Sequence, residues 1–175
     1  MNKFALILAT LFLVHSLDAD AGGRMRAAGA KPNAQGGVSA GSAAAASGPN
    51  GGRAARAGGV ATDAEGNAVG GSAAAVQTAN GGQAARAGAF QRNADGSGTR
   101  SGGFAASGTQ GNVASAGTAT RNADGSVSGL RQTSATSNSG AAYNGSTEYD
   151  SDTGVSHSGT CTDAAGNVVA CPRPN

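Results

Sequence analysis

Large apolar and aromatic side chains are scarce in this chain of 175 residues. It has no tryptophan, and aromatic residues make up only 3% of the total. After residue 21, only twelve positions carry valine, leucine or phenylalanine. A compact domain of this length needs several times that number to offset the entropy lost when the chain folds. A conventional fold around one hydrophobic core is therefore not expected.

Charge is scarce as well, since Asp, Glu, Lys and Arg together make up 13% of residues and the net charge is +2. So few large apolar residues are typical of disordered chains. Two features oppose disorder here. The chain does not repel itself, and the rare large residues keep a constant distance from regularly spaced glycines: Val113, Val127 and Val168 each follow one by two positions.

Long hydrophobic runs are missing after residue 14, and the one at the N-terminus has the form of a secretory signal peptide. Lys3 precedes the apolar run from Phe4 to Val14, which is short for a membrane span. The sequence Ala19-Asp20-Ala21 fits a cleavage site. We predict a signal peptide over 1–21 and a secreted protein, extracellular or at the cell surface; a periplasmic location and an uncleaved anchor are the alternatives.

There are only two cysteines, Cys161 and Cys171. An even number in an exported chain predicts a disulfide. The bridge would staple the last hairpin of the chain. A redox or intermolecular pair is the alternative, although the spacing is not that of a Cys-x-x-Cys motif.

Glycine is abundant, with 31 residues, and it recurs in turn-like sequences. The clearest are Arg92-Asn-Ala-Asp-Gly-Ser97 and Arg121-Asn-Ala-Asp-Gly-Ser126. Asn or Asp favours a turn because its side chain bonds nearby backbone, and Gly tolerates the left-handed position that ends a bulged hairpin loop. Ten glycines are predicted to close such turns: Gly36, Gly51, Gly66, Gly81, Gly96, Gly111, Gly125, Gly140, Gly154 and Gly166.

The spacing of these glycines is 15 residues for the first five steps and 12 to 15 later. Two kinds of turn alternate, so the full repeat is about 30 residues, or two strands and two turns. We predict an all-β fold, a repetitive antiparallel meander of strand–turn units of about 15 residues. A β-solenoid and a largely disordered chain rich in Gly, Ala and Ser are the alternatives.

Composition divides the chain beyond the signal peptide into three segments. Residues 22–48 are basic and rich in Gly and Ala, and we predict them to be weakly ordered. Residues 49–160 form the β-repeat array, and residues 161–175 form the terminal hairpin with its disulfide and a tail. Small side chains let sheets stack closely, and open sheet edges accept further strands, so self-association is expected.

Sites for chemistry are not apparent in the sequence. His157 has no partner in any local motif, no His/Cys group has zinc spacing, and the Gly-Gly pairs lack the Gly-Lys-Ser/Thr of a phosphate loop. We predict no enzyme and no cofactor. Glu148, Asp150 and Asp152 are the nearest match to calcium ligands, although ordinary turn chemistry explains them better.

Arginine recurs along the array and supplies the candidate contacts for an anionic polymer such as extracellular DNA or an acidic polysaccharide. Because no set of stacking aromatic residues is evident, sequence-specific nucleic-acid binding is not expected. Solubilising charge is the alternative explanation. The residues are Arg53, Arg56, Arg86, Arg92, Arg100 and Arg121, with Arg131 beyond them.

The two ends of the chain differ in charge. Residues 22–61 contain five basic residues and no acid, whereas residues 122–175 contain five acids and two arginines. This distribution favours head-to-tail contact between copies, and drift among solvated repeats is the alternative.

Some of the turns resemble those of known repeats. Tyr149-Asp-Ser-Asp-Thr-Gly154 and Thr162-Asp-Ala-Ala-Gly-Asn167 resemble the turns of YD repeats, which belong to large secreted β-shell proteins. The step Gln110-Gly-Asn-Val-Ala114 is similar to curli-type amyloid repeats. Both resemblances cover only a few residues, so neither transfers a function. The expected function is that of an exported structural protein, a fibre, matrix or adhesin component, and the alternative is a binding module for anionic polymers or calcium.

Overall fold

The structure, a computed structural model, describes residues 22–171 and consists of one open antiparallel sheet. Eleven strands follow one another in chain order, each bonded to the next, so the predicted all-β meander is confirmed and the solenoid is not what forms. The strands are β1 Arg24–Pro32, β2 Val38–Ser47, β3 Arg53–Thr62, β4 Ala68–Gln77, β5 Gln83–Arg92, β6 Gly98–Gly108, β7 Gly111–Arg121, β8 Val127–Ser137, β9 Ala142–Asp150, β10 Gly154–Thr162 and β11 Val168–Val169.

Eight of the ten turns between strands share one backbone design, and the turns closed by Gly111 and Gly154 differ from it. In the turn after β5, the Gly96 N–H donates to the Asn93 carbonyl and the Asn93 N–H donates to the Ser97 carbonyl. This is a tight turn closed by a left-handed glycine and a bulge. The residues with positive φ in the described chain are all glycines, and they are the ten predicted turn positions.

Side chains close the turns in two ways. In the turn after β3, Asp63 Oδ1 accepts the backbone N–H groups of Glu65 and Asn67. In the turn after β5, the accepting carboxylate comes later in the loop: Asp95 Oδ1 accepts both the backbone N–H and the hydroxyl of Ser97. A carboxylate or amide thus replaces missing backbone partners inside the loops of the Asn/Asp type, and the hydroxyls of Thr78 and Ser137 do so after β4 and β8. These turns form from local interactions.

Residues 22–48, which we predicted as weakly ordered, form β1 and β2 and extend the sheet. The difference has a local cause. Asn33 Oδ1 accepts the N–H groups of Gln35 and Gly37, as in the later turns. The Asn33 side chain also donates to the Thr62 carbonyl at 2.7 Å, which ties this first turn to the end of β3. These alanine-rich residues can join the sheet because strands pair through backbone hydrogen bonds, which do not require large side chains.

The sheet is a single layer without a hydrophobic core. Among residues 22–171 only Gly70, Ser115 and Cys161 are buried, with Ser115 at 4% and Cys161 at 7% exposure. Hydrogen bonding between neighbouring strands therefore supplies most of the order. No helix in this range is long and apolar enough to cross a membrane. The predicted signal peptide, 1–21, lies outside the described residues.

Candidate functional site

With almost nothing buried, the surfaces on which this protein can act are the two faces and the two edges of the sheet. Successive side chains of a strand point to opposite faces, and directly paired residues point to the same face. The registers between strands therefore assign every strand residue to one face or the other.

The repeat of about 30 residues places arginines in a line across one face. Arg26 pairs with Ala44, which pairs with Arg56 on β3, and the row continues through Ala74 to Arg86 on β5. Alternate strands carry the arginines, so their Cα atoms are about 9.5 Å apart. We call this side the arginine face.

Most of the other arginines lie on the same face. Arg92 is six residues from Arg86 on one strand, and Arg121 joins its row through Gly98. Arg100 pairs with Phe90, and Arg131 pairs with Gly117. Arg24 belongs to this face too. Of the predicted contacts, the exception is Arg53, which points to the opposite face and donates from Nε to Gln77 Oε1 at 2.8 Å.

Carboxylates are absent from the strands of the arginine face. Within β1 to β11 the acids are Glu148 and Asp150, both on β9. Asp150 shares its row with Lys31, and Glu148 shares its row with Gly29. Both rows belong to the opposite face, so the arginine face carries positive charge alone.

The aromatic residues of the strands also lie on the arginine face. Phe104 pairs with Arg86, and Phe90 pairs with Arg100. The guanidinium carbon of Arg131 lies 5.9 Å from the centre of the Phe104 ring, within the range of a cation–π contact. This arrangement was not predicted from the sequence. The available signal was spacing, since each Phe follows an arginine by four residues.

A groove with a volume of about 660 Å³ runs across the N-terminal strands on the arginine face. Alanines and Val76 form its floor, and Arg24, Arg26, Arg56, Arg86 and Phe104 border it. Small floor residues and long cationic borders make the groove suited to a linear anion and unsuited to a buried cation.

The opposite side, which we call the alanine face, is flat over β1 to β7. One row consists of Ala27, Ala43, Ala57, Ala73, Ala87, Gly103 and Ala116. Over β8 to β10 the same row turns polar, with Gln132, Ser146 and Ser158. Lys31 and Arg53 stand near the front of this face, and Glu148 and Asp150 stand at its rear.

The two edges of the sheet differ in length. All nine residues of β1 are exposed. At the other end β11 is short, and it pairs with only Cys161 and Thr162 of the nine residues in β10. The stretch Gly154–Thr160 therefore has no strand on its outer side among the described residues, and an open ladder of this kind accepts another strand.

Cys161 and Cys171 lie at disulfide distance, with their Cα atoms 5.2 Å apart. They join β10 to the residues that follow β11. Because β11 contributes only two residues to pairing, a bridge here fixes the last hairpin more than hydrogen bonds do.

Among the three calcium candidates, the side chain of Asp150 is hydrogen-bonded within the turn after β9. Asp150 Oδ1 accepts the N–H groups of Asp152 and Thr153, which is turn chemistry. Among residues 22–171 no group of three or more His, Cys, Asp or Glu side chains is placed to hold a metal ion. Calcium binding through Glu148, Asp150 and Asp152 stays a prediction without geometric support.

Turn carboxylates have the clearest shifts in acidity. Hydrogen bonds from the Ser97 side chain and backbone lower the pKa of Asp95 below 3.8, and Ser126 does the same for the pKa of Asp124. The side chain of Asn67 is the main cause of the lowered pKa of Asp63, and Asn167 acts in the same way on the pKa of Asp163. Each of these carboxylates accepts hydrogen bonds from its own loop, so their role is to stabilise the turns.

His157 is bonded to two hydroxyl groups. Its Nε2 lies 3.2 Å from Tyr143 Oη, and its Nδ1 lies 2.9 Å from Thr147 Oγ1. Sequence analysis left it solitary because these partners lie on β9, 10 and 14 residues away. Both partners are hydroxyl groups on β9, so the imidazole links the side chains of β10 to those of β9.

Comparison with protein-family models, with curated proteins and with solved structures finds no match for this chain. Any function must therefore be argued from its own faces and edges.

Proposed function

We propose that this chain is an exported structural protein, a component of a cell-surface or extracellular-matrix fibre or adhesin, that assembles head to tail through its sheet edges. The observation that carries this proposal is the stretch Gly154–Thr160 of β10, which has no outer strand among residues 22–171, at one end of the sheet, with the fully exposed β1 at the other. A layer with no core gains order chiefly from strand pairing, so adding strands at both ends stabilises it.

The directions of the two edge strands fit each other. In a meander the odd strands run one way and the even strands the other, so β1 runs in the same direction as β11. Within one copy, β11 pairs only with Cys161 and Thr162 of β10. Strand β1 of a second copy can thus pair with the rest of the outer side of β10. The joined sheets then continue a single antiparallel meander.

The lengths and side chains also agree. Continuing the rows of the sheet sets Lys31 beside Gly154, Ala28 beside His157 and Met25 beside Thr160. Seven residues, Met25–Lys31, meet the seven residues Gly154–Thr160 that lack an outer partner. The contact is heterologous, and because it joins opposite ends it propagates as an open filament.

Charge supports this orientation. In the joined sheet Lys31 of one copy lies on the alanine face, in the same row as Asp150 of the next copy and two strands away from it. Glu148 is two residues from Asp150 on the same strand and face. Opposite charges this close to a shared edge favour the head-to-tail contact over head-to-head or tail-to-tail contact.

A charge swap tests the contact. Lys31→Glu is expected to raise the concentration needed for assembly by roughly threefold to tenfold, because like charges then face each other across the junction. The double variant Lys31→Glu with Glu148→Lys leaves the turn bonds of Asp150 intact and is expected to restore assembly, since each junction regains an opposite pair. Sedimentation velocity and electron microscopy report the size and form of the assemblies.

Arg53→Glu is the matched control, because it makes the same change in charge on the same face but away from either edge. It is expected to leave the assembly concentration within about twofold of wild type. If Arg53→Glu is as harmful as Lys31→Glu, or if the double variant fails to recover, net charge rather than the proposed junction governs assembly.

A further inference from the structure

The centre of the arginine face, on β5 and β6, has a symmetric arrangement that the fibre function does not use. Two cross-strand pairs, Arg86 with Phe104 and Arg100 with Phe90, stand four residues apart along the strands. At about 3.3 Å per residue the pairs are roughly 13 Å apart. Each pair places an arginine beside a phenylalanine on the same face, with the order of the two residues reversed between pairs.

Between the two pairs the sheet is bare backbone. Gly88 pairs with Gly102, and Gly102 pairs with Gly117 on β7, all on the arginine face. A Cβ built on Gly88 or Gly102 would meet backbone atoms of the neighbouring strand and no side chain. Glycine in a strand interior often marks a place where another molecule approaches the backbone closely.

Both rings are held at the borders of this glycine floor. The Phe90 ring lies over Gly70 on β4, and a Cβ at Gly70 would come within 2.5 Å of it. On the other side Arg131 lies against Phe104, and its Nε donates to the buried Ser115 Oγ at 2.8 Å. The rings stay 40% exposed, so each offers a fixed platform for stacking.

We propose that this site, formed by Arg86, Phe90, Arg100 and Phe104 around the floor of Gly88 and Gly102, binds single-stranded nucleic acid without sequence preference. Arginine side chains neutralise the phosphates, the rings stack on exposed bases, and the bare backbone lets the strand lie close to the sheet. A duplex is a poorer ligand, because its bases are already stacked and the flat sheet offers nothing to enter a groove.

The arrangement favours a nucleic acid over a polymer that is only anionic. Arginines alone would serve any polyanion, and the groove over β1 to β6 offers such a contact through Arg24, Arg26, Arg56 and Arg86. The paired rings add a contact that only a ligand with flat groups can use. The binding therefore has two separable parts, a salt-dependent part from arginine and a base-dependent part from phenylalanine.

The test is fluorescence anisotropy of the full chain with a labelled oligothymidylate, and with an abasic oligomer of the same length, over a series of salt concentrations. We expect the oligothymidylate to bind more tightly than the abasic oligomer. Phe104→Ala is expected to weaken oligothymidylate binding by at least about fivefold and to leave abasic binding unchanged. Phe104→Trp keeps a stacking surface and is expected to retain affinity, which separates stacking from misfolding.

Arginine variants test the electrostatic part. Arg86→Gln is expected to reduce the slope of log affinity against log salt by about 0.7, the value for one phosphate contact with a single strand. Arg53→Gln loses the same charge from the alanine face and is expected to leave the slope unchanged. Equal effects of the two arginine variants overturn the proposal, and so does equal binding of the abasic oligomer, which would mark the face as a general polyanion surface. Tighter binding of duplex than of single strand also overturns it.

Discussion

Replacing a turn glycine with alanine tests whether the left-handed glycines set the geometry of this sheet. At Gly96, φ is +84° and an added Cβ would meet no atom within 4 Å. Gly96→Ala therefore changes backbone conformation alone, without a clash. An L-residue in the left-handed region costs about 1–2 kcal/mol, so the variant is expected to lose about that much unfolding free energy.

Gly108 provides the matched control, because an added Cβ there also meets nothing within 4 Å but φ is outside the left-handed region. Alanine at such a site restricts the unfolded chain and stabilises by about 0.4–1 kcal/mol. The two variants should therefore differ by about 2 kcal/mol, although each adds the same methyl group.

Urea denaturation followed by circular dichroism measures the difference, and hydrogen exchange locates it. The Gly96 N–H donates to the Asn93 carbonyl at 3.0 Å, so its exchange reports the turn directly. Because each strand is hydrogen-bonded only to its neighbours, faster exchange should be confined to β5, β6 and the strands beside them. Equal stability of the two variants would show that the left-handed glycines do not determine the fold.

Three further predictions concern the turns, the disulfide and Ser115, the one polar residue that is buried between residues 22 and 171. Hydrogen bonds lower the pKa of Asp95 and Asp124 below 3.8, so the stability they contribute is complete above that value and is lost as pH falls through the folded pKa. The urea concentration at the unfolding midpoint should therefore decrease as the solution pH is lowered below about 4, and it should decrease less in Asp124→Asn. Reducing Cys161–Cys171 should cost about 2–3 kcal/mol, with faster hydrogen exchange in β10 and β11; unchanged exchange would contradict this. Ser115→Ala removes the acceptor of Arg131 Nε and should cost about 1 kcal/mol in urea denaturation; a variant as stable as wild type would show that the contact is not needed.

The positions of the turns were predictable because they depend on residues close together in sequence. Gly96 and Gly125 each follow an Asn-Ala-Asp segment, and the side chain of that Asp bonds its own loop. Such interactions need no distant partner. Strands were predictable in residues 22–48 as well, since Asn33 forms an equivalent turn. We predicted weak order there because the segment is rich in Gly and Ala.

The grouping of arginine with phenylalanine was harder to predict. Phe104 and Arg86 are 18 residues apart in sequence and meet only because β5 and β6 pair in one register. A shift of one residue would move the ring to the other face. The length and bulge geometry of each turn set that register. The sequence indicates where a turn lies but does not specify its bulge geometry in detail.

The sequence alone determined where the chain reverses, because only glycine adopts the left-handed backbone without strain and Asn or Asp closes the loop locally. Strand pairing decided the rest: the separation of an arginine face from an alanine face, the placement of Glu148 and Asp150 on the alanine face, and the open edge of β10. Those features depend on register and strand order, which arise from backbone hydrogen bonds between residues far apart in the chain.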